Sequence, residues 1–145
     1  MPFVFRNRDL QTLETRLNLQ KRVMIDQSTE IMEITMREAE DLQRELLDAA
    51  TTRTGEKRYA AGRGASAGRR DTDEMYEGIG SEVEATSKRV VGRWGWLNDP
   101  KAYYSYQDYG TGRIPPAGSL IDSFIQIRER FIKRVVRLAR GGRAA

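Results

Sequence analysis

The side chains that could do chemistry in this chain of 145 residues are carboxylates, hydroxyls and arginines, because it contains no cysteine and no histidine. Their absence excludes thiol nucleophiles, disulfides and zinc sites with sulfur or imidazole ligands. It also removes the commonest general base at neutral pH. Serine, threonine and tyrosine hydroxyls therefore lack the partner that usually activates them, and we expect neither enzymatic activity nor a cofactor.

The densest group of carboxylates is formed by Asp71, Asp73 and Glu74. Oxygen ligands of this kind suit a divalent cation, but their spacing differs from that of a calcium-binding loop. The other acidic residues alternate with basic ones along predicted helices, which is typical of solvated helix faces. We therefore interpret the cluster as a solvated turn and expect no metal site.

Arginine carries most of the positive charge, with 20 Arg against 5 Lys, a net charge of +4 and a pI of about 9.6. Arginine suits bidentate contacts with carboxylates and phosphates, although codon bias in a GC-rich genome would give the same excess. Residues 51–74 are rich in glycine and alanine, and their glycines do not form a phosphate-binding fingerprint. We predict a long flexible loop here, with arginines that could contact an acidic surface or a nucleic-acid backbone.

The elements that must position these side chains begin with a long helix over residues 9–50, which contain no proline and no glycine. Apolar residues recur there at helical spacing. A continuous helix of this length spans about 60 Å, more than one small domain can bury. Gln20 and Gln27 interrupt the apolar stripe too early for a strict coiled coil. We expect either two helices with a break at residues 26–29, or one long helix packed partly on a neighbouring subunit.

The second half of the chain predicts a small antiparallel sheet over residues 75–112 and a helix over residues 119–140. Aromatic and β-branched residues favour strands, including one over residues 103–109. The last helix carries a net charge of +5 from residue 119 onward. Its predicted apolar face comprises Ile121, Phe124, Ile125, Phe131, Ile132, Val135 and Leu138. The fold class is α+β, in a single domain, with the last helix packed on the sheet.

Residues 103–124, here called the joint, connect the predicted sheet to the last helix. The joint contains four of the six tyrosines, a Gly-Thr-Gly sequence and two prolines. Glycines permit a turn, the prolines stiffen its exit, and Ser119 is a favourable N-cap. The residues expected to set the angle of the joint are Tyr106, Asp108, Tyr109, Gly110, Thr111, Gly112, Pro115, Pro116 and Ser119.

The order of these features resembles the head–tail joining proteins of long-tailed bacteriophages, also called neck or tail-completion proteins. The similarity covers roughly residues 10–140 and depends on two short motifs. Thr54-Gly55, followed by Lys57 and Arg58, comes after the first helix. The second motif is Tyr106, Asp108 and Tyr109-Gly110-Thr111, with Pro115-Pro116 and Phe124 behind it.

The resemblance implies a structural protein of the virion that forms a ring, commonly a hexamer, between the head connector and the tail. It is made in the host cytoplasm and has no membrane partner. Its implied partners are copies of itself, the neighbouring connector or stopper protein, and the tail-tube or tail-terminator protein. Double-stranded DNA passes through the lumen without specific binding. The alternatives are a tail-terminator ring protein and, from another class, a small basic DNA-binding protein.

Charge suggests which residues serve each surface of such a ring. A DNA channel should not hold phosphates tightly, so the acidic stretch of the first helix is the candidate for the lumen: Glu30, Glu33, Glu38, Asp41 and Glu45. The candidate contacts between subunits or rings are Phe3, Phe5, Arg53, Arg58, Arg63, Arg69, Arg70, Arg128, Arg134 and Arg137. We also expect residues 51–74 to be mobile in the free subunit and to become ordered on assembly.

Overall fold

The computed structural model describes residues 7–50, 53–63, 73–98 and 100–141, and only the backbone of residues 7–9, 53 and 54. The elements are α1 (Asn7–Ala49), α2 (Arg53–Ala60), α3 (Glu74–Glu77), β1 (Gly80–Ala85), β2 (Val90–Gly95), α4 (Ala102–Tyr109) and α5 (Ser119–Ala139). The predicted α+β fold is confirmed: a long first helix, a small antiparallel sheet and a last helix that packs on them.

The first helix is continuous over 43 residues, so the break considered at residues 26–29 does not occur. Gln27, Ser28 and Thr29 lie half-buried inside the helix. The Thr29 hydroxyl donates to the carbonyl of Ile25 at 2.8 Å, which satisfies this polar group without ending the helix. Of the two arrangements considered, the single long helix is the one observed.

The sheet is a two-stranded antiparallel hairpin that lies on α1. Gly80 pairs with Gly95 and Ala85 with Val90. The hairpin passes very close to α1 at Gly92, where an added Cβ would lie 2.6 Å from the sulfur atoms of both Met32 and Met36. A glycine at this position therefore lets the strand approach the helix.

Two segments predicted to be strands are helical instead. Residues 74–77 form the single turn α3, and residues 102–109 form α4, so the strand predicted over 103–109 is wrong. Tyrosine favours strands only weakly and in context. The buried residues of α4 are Tyr104 and Asp108, whose spacing of four places them on one face of a helix. The predicted loop also differs, because α2 occupies its first part; its residues 51, 52 and 64–72 lie outside the described ones.

The core has two parts. Leu47, Met75, Ile79 and Tyr104 form one cluster under α3 and α4, and the Trp96 indole closes it by donating to the carbonyl of Met75 at 2.8 Å. The second part is the seam between α1 and α5. Its fully buried side chains are Ile31, Thr35, Ala39, Gln43, Ser123 and Ile127. Much of the seam is polar or small, which agrees with the low apolar content of the sequence.

Helix α5 packs through only part of the apolar face predicted for it. Ser123 and Ile127 are buried against α1, with Phe131 and Leu138 half-buried on the same side. The Ser123 hydroxyl accepts a hydrogen bond from the Trp94 indole at 3.4 Å, so this position of α5 also contacts the sheet. Six apolar residues of α5 remain exposed, and five of them, all except Val136, belong to the predicted apolar face. The six are Ile121, Phe124, Ile125, Ile132, Val135 and Val136. We call this set the outer face of α5.

Candidate functional site

The joint is organised around the buried carboxylate of Asp108, at the end of α4. It accepts hydrogen bonds from the Ser119 backbone amide at 2.7 Å, the Ser119 hydroxyl at 2.5 Å and the Leu120 amide at 3.2 Å. Those amides belong to the first turn of α5, which has no intrahelical acceptor for them. Asp108 therefore caps α5 from another helix and stabilises its positive dipole end. Ser119, expected as the N-cap, is instead the first residue of α5, and Gly118 occupies the cap position.

The turn between α4 and α5 depends on Gly110, which has φ 78°. A Cβ there would lie 2.8 Å from both the Ile114 carbonyl oxygen and the Pro116 nitrogen, so a side chain has no room. Thr111 closes the turn: its amide donates to the Ile114 carbonyl at 2.8 Å, and its hydroxyl accepts from the Ile114 amide at 3.1 Å. Gly110 and Thr111 thus set the path of the joint, whereas a Cβ at Gly112, which was expected to share this role, would meet nothing within 4 Å.

The tyrosines of the joint divide between core and surface. Tyr104 is buried and packs on Trp96, with ring centroids 5.6 Å apart. Tyr106 and Tyr109 are exposed, Tyr109 by 65%. Tyr109 lines a mostly apolar groove of about 440 Å³ together with Arg93, Trp94, Leu97, Leu120, Ile121 and Phe124. The joint therefore presents an aromatic surface next to the outer face of α5.

The seam between α1 and α5 contains a charged cluster centred on Glu38. Arg134 donates to the Glu38 carboxylate and, at 3.2 Å, to the Thr35 hydroxyl. Arg130 approaches the same carboxylate to 3.7 Å. The hydrogen bond from Arg134 is the main cause that lowers the pKa of Glu38 below its ordinary value. Glu38 and Arg134 therefore hold α5 on α1 within one subunit.

The four other carboxylates considered for the lumen behave differently, because Glu30, Glu33, Asp41 and Glu45 are all exposed on α1. Two of them border a cleft of about 760 Å³ that is also lined by Arg44, Asp48, Ala49, Tyr76 and Glu77. Within the described part of the chain, no group of three carboxylates is arranged to hold a metal ion. The acidic surface of α1 is thus available for contacts outside the subunit.

The N-terminal part of α1 extends past the end of α5. Its residues Asn18, Lys21 and Arg22 line a cleft of about 480 Å³ together with Ala85, Thr86 and Ser87 of the hairpin turn. Arg134 contacts Thr35, and α5, which runs antiparallel to α1, ends five residues later at Ala139. Every residue from 10 to 24, here called the arm, is exposed. One side of the arm carries an apolar stripe formed by Leu10, Leu13, Leu17 and Met24, with Leu17 exposed by 56% and Met24 by 60%. Sequence reasoning identified this helix as too long for one domain but did not locate the arm.

The arginines predicted for interfaces are distributed over several environments. Arg63, Arg128 and Arg137 are exposed, whereas Arg58 is half-buried. Only the backbone of Arg53 is described. Phe3, Phe5, Arg69 and Arg70 lie outside the described residues. The predicted interface residues whose side chains the structure describes therefore do not share one environment.

Comparisons of the chain with protein-family models, curated protein sequences and solved structures give no match. Among the described residues, no helix is both long enough and apolar enough to cross a bilayer. The arm, the joint and the outer face of α5 are the surfaces that bear on function.

Proposed function

We propose that this protein is a structural subunit of the neck of a long-tailed bacteriophage. Copies of the chain would form a ring that joins the head connector to the tail and surrounds the DNA channel. The observation that carries the proposal is the amount of apolar surface that a single subunit leaves exposed on the arm and on α5. Contiguous exposed apolar surface of this kind is typical of protein–protein contacts.

The resemblance to head–tail joining proteins supports the specific placement in a neck. Its second motif falls in the joint, where Asp108 and Gly110 fix the direction in which α5 leaves α4. A ring requires a fixed subunit shape, because small errors in angle accumulate around its circumference. The motif residues thus have a mechanical role that fits a structural protein and requires no covalent chemistry.

The exposed carboxylates of α1 suit the channel surface of the proposed ring. Glu30, Glu33, Asp41 and Glu45 would repel the DNA backbone and so keep phosphates from binding tightly. A structure of the assembled ring tests this assignment directly. We expect these carboxylates at the bore, and a bore lined by arginine side chains would contradict it.

The proposal itself is tested by measuring mass and shape together with affinity for DNA. Analytical ultracentrifugation and electron microscopy of the purified chain should show a closed ring, commonly of six subunits in the family it resembles. The ring should persist between about 0.1 and about 1 M salt and should not bind duplex DNA. Flanking genes for a portal, a capsid and a tail-tube protein would support the placement in a neck rather than in another ring.

The competing function is that of a small basic DNA-binding protein, favoured by the exposed basic side chains of α5. These are Arg128, Arg130, Lys133, Arg137 and Arg140. A protein of that kind would be a monomer or dimer whose DNA affinity falls steeply as salt rises. Observation of that behaviour in the same measurements would overturn the proposed function.

A further inference from the structure

We infer that the arm of one subunit packs antiparallel on the outer face of α5 of a second copy of this chain. The inference rests on the proposed function, because it specifies the contact through which the ring would close. The arm and the outer face are both exposed apolar helix surfaces, and they belong to different ends of the same subunit.

Apart from Phe124, which stacks on Trp94 with ring centroids 6.0 Å apart, the outer face is separate from the surface that α5 uses within its own subunit. At 100° per residue, Ile121, Ile125 and Ile132 lie roughly 160° around the helix from Ser123 and Ile127, the residues buried against α1. Ile121 is exposed by 51% and Ile125 by 54%. The polar side of α5 lies beyond the outer face, and the apolar residues of α5 span about half of the circumference, with Arg128 among them. A surface helix with one partner needs a narrower stripe, and α5 therefore has room for a second partner.

The arm cannot cover the outer face of its own α5, because it continues past the end of that helix. The two surfaces do, however, match in length. From Leu10 to Met24 and from Ile121 to Val135 there are 14 residue steps in each case, about 21 Å along a helix. An antiparallel alignment that sets Met24 near Ile121 places Leu13 near Ile132 and Leu10 near Val135.

Charge selects the antiparallel direction. In this alignment Glu14 of the arm comes within one helical turn of Lys133, and Lys21 comes within one turn of Asp122. All four side chains are exposed. A parallel alignment that sets Leu10 near Ile121 would place these side chains on opposite flanks of the contact and would lose both pairs of opposite charge. The antiparallel arrangement also opposes the two helix dipoles.

A second copy is preferred to other occupants because one contact covers both exposed surfaces. Contact between the arms of two subunits would be isologous, would leave the outer face of α5 in water and would close as a dimer. The contact of arm with α5 is heterologous and repeats from subunit to subunit. Repetition of a heterologous contact produces a ring when its rotation closes.

Cross-linking tests the contact cleanly, because the chain has no cysteine. Leu13→Cys and Ile132→Cys variants, mixed and oxidised, should give a disulfide-linked dimer that contains one of each. Leu13→Cys mixed with Gln126→Cys is the matched control, since Gln126 lies on the polar side of α5. The control pair should not cross-link, and all three variants keep their fold because the three positions are exposed.

A second measurement uses two leucines on opposite sides of the arm. Leu17→Asp should weaken self-association by more than about tenfold, because a leucine side chain loses its burial in the contact. Leu19→Asp, on the opposite side, should leave self-association unchanged. Equal effects of the two substitutions would overturn the inference.

The outcomes separate this inference from the proposed function. A ring that forms without the cross-link between residues 13 and 132 overturns the arm contact but leaves the proposed ring standing. A Leu13→Cys variant that cross-links only to itself has the same consequence. The expected cross-link in an assembly that does not close into a ring supports the arm contact and overturns the proposed ring-forming function. A chain that stays monomeric at all concentrations overturns both.

Discussion

At the residue scale, the buried Asp108 carboxylate should be the most sensitive position of the joint. Both carboxylate oxygens of Asp108 accept hydrogen bonds from backbone amides of α5. In Asp108→Asn an NH2 group replaces one of these oxygens, so that a side-chain donor faces a backbone donor. We expect the free energy of unfolding to fall by about 1–3 kcal/mol, measured by chemical denaturation. Asp41→Asn, an exposed change of the same type on α1, is the control and should cost less than about 0.5 kcal/mol. Equal losses in both variants would contradict the capping role.

Glu38 should make part of the stability depend on pH. The neighbouring Arg134 lowers the pKa of Glu38 in the folded state from its ordinary value of 4.5. The contribution of this pair is therefore complete above about pH 4.5 and is lost as the pH falls through the lower folded-state pKa. At neutral pH, Glu38→Gln should reduce the free energy of unfolding by about 1 kcal/mol or less, because both side chains are partly exposed.

Denaturation of the wild type and of Glu38→Gln across the pH range from about 7 to about 3 measures this effect. The difference in free energy of unfolding should shrink as the pH falls, because the wild-type carboxylate becomes protonated. Glu45→Gln provides the control, since Glu45 is exposed on the same helix. A difference that stays constant with pH would show that Glu38 acts through packing rather than through its charge.

Single residues differ in how far the sequence predicts their role. Asp108 was predicted as part of the joint because it lies between aromatic residues just before Gly-Thr-Gly. Glu38 and Arg134 are 96 positions apart, and alternating charges on each helix are typical of a solvated surface. Their pairing depends on which faces of α1 and α5 meet, which local patterns do not specify.

At the element scale, the turn between α4 and α5 offers a matched pair of glycine substitutions. Gly110→Ala introduces a Cβ against backbone atoms at a positive φ and should lower the free energy of unfolding by about 1–3 kcal/mol. Gly112→Ala, two residues away, meets nothing within 4 Å and should be nearly neutral. Thermal and chemical denaturation measure both. Similar effects of the two would contradict the assigned constraint at Gly110.

The helices were better predicted than the strands. The start of α5 at Ser119 follows from proline, glycine and serine signals that act locally, and α1 follows from 42 residues without a helix breaker. The segment 103–109 was assigned to a strand because its tyrosines favour β structure. Its conformation depends instead on contacts with distant residues, since Tyr104 packs on Trp96 and Asp108 caps α5. Tertiary contacts of this kind override a weak local propensity.

At the scale of the whole molecule, the subunit consists of a packed body and a helical arm. The length of α1 already predicted that one domain could not bury it. The exposed side of α5 was not predicted, because its apolar residues were expected to face the core. Together the two features leave the folded subunit with apolar surface that its own fold does not bury. This exposed apolar surface is the physical basis of the proposed assembly.

The arm should be the least stable helical segment of the isolated subunit. Most helical stability in proteins comes from tertiary packing, and a helical segment of about 15 residues with little packing is marginal in water. In the monomer produced by Leu17→Asp, backbone amides of residues 10–24 should exchange with solvent at least about 100-fold faster than those of residues 31–47. In the assembled wild type, the arm amides should become protected because the outer face of a neighbour covers them. Hydrogen exchange followed by mass spectrometry measures both states. Slow exchange of the arm in the monomer would contradict its dependence on a partner, and fast exchange in the assembled protein would show that the arm lies outside the contact.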